Sequence, residues 1–153
     1  MTSLFKSKPQ TFFIGLPVRT QNGEGFVSDV SPLWDNFFAK GAIDQIPNRA
    51  NDEFLVVYTD YEGDYTKPFT YILGCEVTSL AIIPAGFRVV NIPVQSYRLF
   101  EARGSYPFSL IDTWQTIWGT PLSRSYTFDL ERYPATFDPS GTPPIDIFIA
   151  VQH

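Results

Sequence analysis

Apolar and polar positions alternate most cleanly over Ser125–Val151, which reads as two strands joined by a loop rich in Pro and Gly. In the first, Tyr126, Phe128 and Leu130 fall on one face and Thr127, Asp129, Glu131 and Tyr133 on the other. In the second, Ile145, Ile147, Ile149 and Val151 oppose Asp146, Phe148 and Ala150. A solvated face would more usually carry Lys, Thr and Ser in place of Tyr133 and Phe148. An acid set among rings is what a pocket for a cation, or for weak-acid chemistry, requires. The same alternation also suits an ordinary half-exposed sheet.

Upstream, Thr11–Val18 reads as a first strand and Arg19–Val30 as a loop. Ser31-Pro32 then predicts a helix start, Ser as N-cap and Pro at the first helical position. The helix carries a stripe of Leu33, Trp34, Phe37 and Phe38 and stops at Gly41. Trp34 on that stripe suits core packing as well as a ligand contact. Glu53–Asp60 is a near-continuous apolar run, the mark of a central strand covered on both faces. Pro68–Val77 returns as its partner, with Phe69, Tyr71, Leu73 and Cys75 on one face. Short strands follow at Arg88–Ile92 and Gln95–Ala102, then a second helix at Pro107–Trp118 with a stripe of Leu110, Ile111, Trp114, Ile117 and Trp118.

The halves match. Each holds a strand, a Trp-bearing helix closed by Gly, and two further strands, at an offset of roughly eighty residues. The expectation is one α+β domain over 1–153, with halves at about 11–80 and 86–151. Two tandem β-α-β-β modules would form one antiparallel sheet with both helices on one face and a groove between them. A ligand belongs in that groove.

Composition narrows the chemistry. The 16% aromatic content is high, with 14 Phe, 8 Tyr and 3 Trp. Core packing accounts for most Phe, whereas Tyr and Trp, each with a polar handle, are the better pocket candidates. Net charge is −5 with no basic cluster, which argues against direct nucleic-acid contact. No segment has the pattern of a signal peptide or a membrane span. A single cysteine, Cys75, fits a reducing compartment and points to a cytoplasmic protein; its apolar neighbours read as those of a buried structural thiol. One His, the terminal His153, leaves no ordinary triad and no His/Cys zinc site. Catalysis here would have to run on carboxylates, Tyr hydroxyls or bound water, and no metal or cofactor is expected.

Five segments in order carry a family resemblance over Thr11–Val151. YILGCEV (Tyr71–Val77) resembles a Y-x-x-G-x-E-V strand, IPVQSYRLFEARG (Ile92–Gly104) an I-P-A-x-x-Y-x-V-F-x-x-x-G segment, and TWQTIW (Thr113–Trp118) a W-x-x-I-x-x-W helix. FDLERY (Phe128–Tyr133) resembles an F-E-x-Y strand and IDIFIAV the closing strand. Together they resemble the GyrI-like effector-binding domains found in AraC-type and MerR-type drug-sensing regulators. The chain departs from that pattern at Asp146, at Ala150, and at PLSRSY in place of P-x-S-G-Y.

The resemblance implies a pocket with a buried glutamate, carried over to Glu131 with Tyr133 beside it. Trp114, Tyr71, Phe148 and Trp34 would form walls. A buried carboxylate resists ionisation until a cation restores the balance, and each flanking ring adds roughly 0.5–2 kcal/mol of cation–π attraction. Apolar burial adds roughly 25 cal/mol per Å². Arg132, the next residue, is expected on the opposite face. The resulting expectation is a stand-alone binding module for cationic lipophilic aromatic ligands. With no helix-turn-helix pattern before the first strand, a regulatory role would need a separate DNA-binding or other protein partner. Two alternatives come from the same resemblance: a hydrolase of reactive small molecules with Glu131 as catalytic general base, and a GyrI-like protein inhibitor.

Overall fold

The computed structural model describes residues 4–152 of the chain, leaving His153 outside them. The strands are β1 Leu4–Lys8, β2 Thr11–Thr20, β3 Phe54–Thr59, β4 Phe69–Val77, β5 Arg88–Ile92, β6 Gln95–Ala102, β7 Asp129–Tyr133 and β8 Ile145–Ala150. Two helices interrupt them, α1 Phe26–Phe38 and α2 Phe108–Gly119. All eight strands form one antiparallel sheet, in the order β1-β6-β8-β7-β3-β4-β2-β5.

That order is symmetric about the β3–β7 junction. Outward on one side lie β3, β4 and β2; on the other lie β7, β8 and β6. Each triple is a β-α-β-β unit, as the sequence predicts. The flanking strands are exchanged: β1 pairs with β6 of the other unit, and β5 pairs with β2. The sequence reading missed β1, a short edge strand whose register depends on a partner nearly a hundred residues away (Leu4 opposite Leu99).

The sheet curls strongly. On one side Phe13, Val57, Ile72, Leu130, Tyr97 and Phe148 close into one cluster that unites strands from both ends of the sheet. On the other side the helices pack through Val30, Phe37 and Ile117 against Leu73, Ile147 and Ile149. Each buried Ile on β8 contributes roughly 1.5–3 kcal/mol by leaving water. Glycines permit the close strand crossing in the β2–β4 pair: Gly15 and Gly74 face each other in register, and a Cβ on Gly74 would collide with the Ile14 carbonyl oxygen. The glycine of YILGCEV is thus a steric requirement.

Two local expectations are corrected. The first helix begins at Phe26, not at Ser31, and Pro32 lies inside it. Gly25, at φ 96°, turns the chain into a first turn that adds Phe26 and Val30 to the apolar stripe, and Pro32 faces solvent. The stripe outweighs the Ser-Pro start signal. In the last hairpin, β7 begins at Asp129 because Tyr126 takes a left-handed backbone at φ 54°, which breaks the alternation expected from Tyr126 onward.

Candidate functional site

Between the helices and the sheet lies an open cavity of about 950 Å³. All three Trp line it, from α1 (Trp34) and α2 (Trp114, Trp118), as do six of the eight Tyr. Phe mostly serves the core instead. Aromatic residues with a polar handle have therefore been concentrated on one wall system, where each can present a ring and still place its O–H or N–H.

Glu131 of β7 sits at the floor, 1% exposed. Three donors hold it. The Tyr58 hydroxyl and the Trp114 indole N–H each donate to Oε2 at 2.7 Å, and the Tyr133 hydroxyl donates to Oε1 at 2.7 Å. The β3–β7 register, which sets Val56 opposite Glu131 and Tyr58 opposite Asp129, brings the Tyr58 ring along the same face. Burial pushes the Glu131 carboxyl above the ordinary glutamate value, outweighing the hydrogen bonds from Tyr58, Tyr133 and Trp114 that pull it down. Burial, and then the Glu131 charge, push Tyr58 and Tyr133 well above the usual phenol value, so both stay neutral donors. No basic side chain bonds to Glu131 among the described residues. Arg132, as expected, turns to the other face, donating to Asp146 Oδ2 at 2.8 Å and covering the Phe148 ring.

A second polar cluster lies two residues along β7. Asp129, fully buried, accepts from Arg124 Nη2 at 2.8 Å and from the Tyr61 hydroxyl at 2.5 Å on Oδ2, and from the Ala150 backbone N–H at 2.8 Å on Oδ1. Arg124 is 6% exposed, lies 4.3 Å from the Tyr126 ring centroid and lines the cavity. Burial works against its charge, but Asp129 more than restores it, and the guanidinium stays protonated. Nearby, Tyr65 of the β3–β4 loop stacks on Trp118 at 5.5 Å.

Sequence comparison assigns residues 5–151 to the integron-associated effector binding protein family. The chain belongs to that family. Its members are effector-binding proteins, and the effector-binding fold read from the five motifs holds over nearly the whole chain. An integron cassette protein from the mobile metagenome of Vibrio cholerae is similar at 25% identity and a TM-score of 0.75, covering 97% of this chain and 95% of that one. A structure solved with tetraphenylphosphonium bound has the same fold at 17% identity and a TM-score of 0.81, over 99% of this chain and 94% of that one. So has a candidate transcription-regulation protein from Staphylococcus aureus, at 16% identity and a TM-score of 0.78, over 100% of this chain and 99% of that one. Among curated proteins, no sequence matches significantly.

Within this effector-binding fold, Glu131, Tyr133, Trp114, Tyr71 and Trp34 are brought together around the cavity. Trp34 donates its indole N–H to the Tyr71 hydroxyl at 2.8 Å. Phe148 is not among them. The β7–β8 register sets it opposite Leu130, on the face away from the helices, where it packs against Tyr97. On β8 it is the Ile147 face that shares a side with Glu131. Tyr58, Tyr61 and Arg124 were missed, because nothing local marks them; only strand pairing shows that they converge. Cys75 is fully buried, and burial pushes its thiol up to about 11, consistent with a structural role. Among the described residues no His, Cys, Asp and Glu cluster suits a metal, and no helix is long and apolar enough to cross a membrane.

Proposed function

We propose that the cavity receives lipophilic aromatic cations and that Glu131 supplies the countercharge. The observation that carries this reading is a fully buried carboxylate, held by three neutral donors and, among the described residues, by no cation, at the floor of an aromatic cavity. Such a group is poised between two states. Without a ligand its ionised form lacks an opposing charge; a bound cation supplies one and is drawn in by the ring faces as well. Because the cavity offers area, rings and one buried carboxylate that no basic side chain pairs among the described residues, with few directional contacts, it would accept cations of varied shape. The rim favours apolar ligands too, with Val27, Phe38 and Ile111 exposed on the two helices where they line the cavity.

Tetraphenylphosphonium bound to a protein of the same fold supports this chemistry. The likeness to a candidate transcription-regulation protein supports a sensing role in gene regulation. The test is quenching of Trp34, Trp114 and Trp118 fluorescence by a panel of aromatic cations and matched neutral analogues, with wild type and Glu131→Gln. Cation-selective quenching that Glu131→Gln removes is the expected result. Equal response to neutral analogues, or an unchanged response in the variant, would sink the proposal; turnover of a strained electrophile would move the assignment to hydrolysis.

A further inference from the structure

We infer that the Arg124–Trp118 end of the cavity is a second subsite, for a neutral hydrogen-bond acceptor oxygen carried by the same cationic ligand. Among the described residues, five buried side-chain polar atoms lack a partner; three of them, Arg124 Nε, Arg124 Nη1 and Trp118 Nε1, belong to two side chains that line this one cavity. Buried N–H groups are almost always partnered, so three orphan donors on two side chains that line one cavity call for an acceptor. Guanidinium and indole nitrogens are donors only and cannot satisfy each other.

Charge decides what kind of acceptor. Arg124 is already neutralised by buried Asp129, 2.8 Å away. The pair needs no second anion, and a ligand carboxylate would sit close to the Asp129 charge. What the subsite lacks is an uncharged oxygen such as a ketone, ester, amide or ether. Tyr126, with its ring 4.3 Å from the Arg124 guanidinium carbon, and Tyr61, bonded to Asp129, hold the fork in place.

Geometry sets the spacing. Asp129 and Glu131 lie two residues apart on one face of β7, roughly 6.6 Å along the strand. The favoured ligand therefore carries its oxygen a few bonds from its cationic centre. This deepens the proposed function and rests on it: Glu131 reads the charge, and Arg124 with Trp118 reads the oxygen.

The test uses three triphenylphosphonium salts that share a cationic head. One bears a hexyl chain, one the same chain with its fifth carbon as a ketone, and one a four-carbon chain ending in carboxylate. A merely apolar cavity would favour the hexyl compound. Orphan donors should reverse that, giving the ketone about 10-fold tighter binding by calorimetry, and the carboxylate weaker binding than the ketone. Arg124→Lys and Trp118→Phe should each shrink the ratio of ketone to hexyl affinity toward one. The wild-type comparison needs no variant to fold. Hexyl binding as tight as the ketone overturns the subsite, and carboxylate binding tighter than the ketone overturns its neutral character. Loss of hexyl binding in Glu131→Gln is the separate check on the cation reading, so the two can fail independently.

Discussion

The two halves of the sheet answer the same structural question differently. Each helix sends a tryptophan indole N–H down onto the sheet. From α1, Trp34 meets the hydroxyl of Tyr71, a neutral group. From α2, Trp114 meets the carboxylate of Glu131. The topology is symmetric about β3–β7, so the asymmetry lies in side-chain chemistry alone. One half supplies an aromatic wall with internal hydrogen bonding; the other supplies a wall and a buried charge. A duplicated scaffold thus gives a cavity polarised toward one side, which is what a receptor for an amphipathic cation needs.

Removing the charge should have the largest effect. Glu131→Gln keeps the shape and most of the hydrogen bonds, yet cation affinity should fall by at least 2 kcal/mol, roughly 30-fold, measured by calorimetry. Next come the paired tryptophans. Trp114→Phe removes a donor to a charged acceptor and should weaken cation binding by about 1.5–3 kcal/mol, whereas Trp34→Phe keeps a ring on the wall, loses a bond between neutral groups and should cost about 0.5–1.5 kcal/mol, mainly in stability. Equal effects in both assays would dissolve the distinction between the halves.

Protonation sharpens it further. Burial places the folded Glu131 pKa above its unfolded value, so between the two values the folded state binds the extra proton. Stability of the ligand-free protein should therefore fall as pH rises through that window, and Glu131→Gln should flatten this part of the profile in thermal melts. Cation binding favours the ionised form, so affinity should climb over the same window with release of a proton. The smallest effect on binding concerns scaffolding. Pro32 lies inside α1 and has no counterpart in α2; Pro32→Ala should leave binding unaltered and raise stability, by at most the roughly 3 kcal/mol that a proline costs inside a helix.

The legible parts of the sequence were those set by local pattern. Strand alternation and the helix stripes placed β2 through β6, β8 and α2 close to their observed bounds, whereas the starts of α1 and β7 depended on the backbone turns at Gly25 and Tyr126. Glu131 and Tyr133 were legible because they share one face of one strand. Phe148 was not, because which face of β8 joins which face of β7 depends on register, and a shift of one residue exchanges them. Tyr58 reaches Glu131 across a strand pair, a relation invisible within Phe54–Thr59. Arg124 stood in PLSRSY, a visible departure from the family pattern, but its meaning required the backbone turn at Tyr126 and the buried Asp129 beyond it.

The central claim is that a buried charge on one half of a symmetric scaffold selects the ligand. Tetraphenylphosphonium and tetraphenylborate test it most directly, being nearly equal in size and shape and opposite in sign. Titrated calorimetrically into wild type, the cation should bind and the anion should bind at least tenfold more weakly, with Glu131→Gln narrowing that gap. Comparable affinity for both ions in wild type would contradict the account.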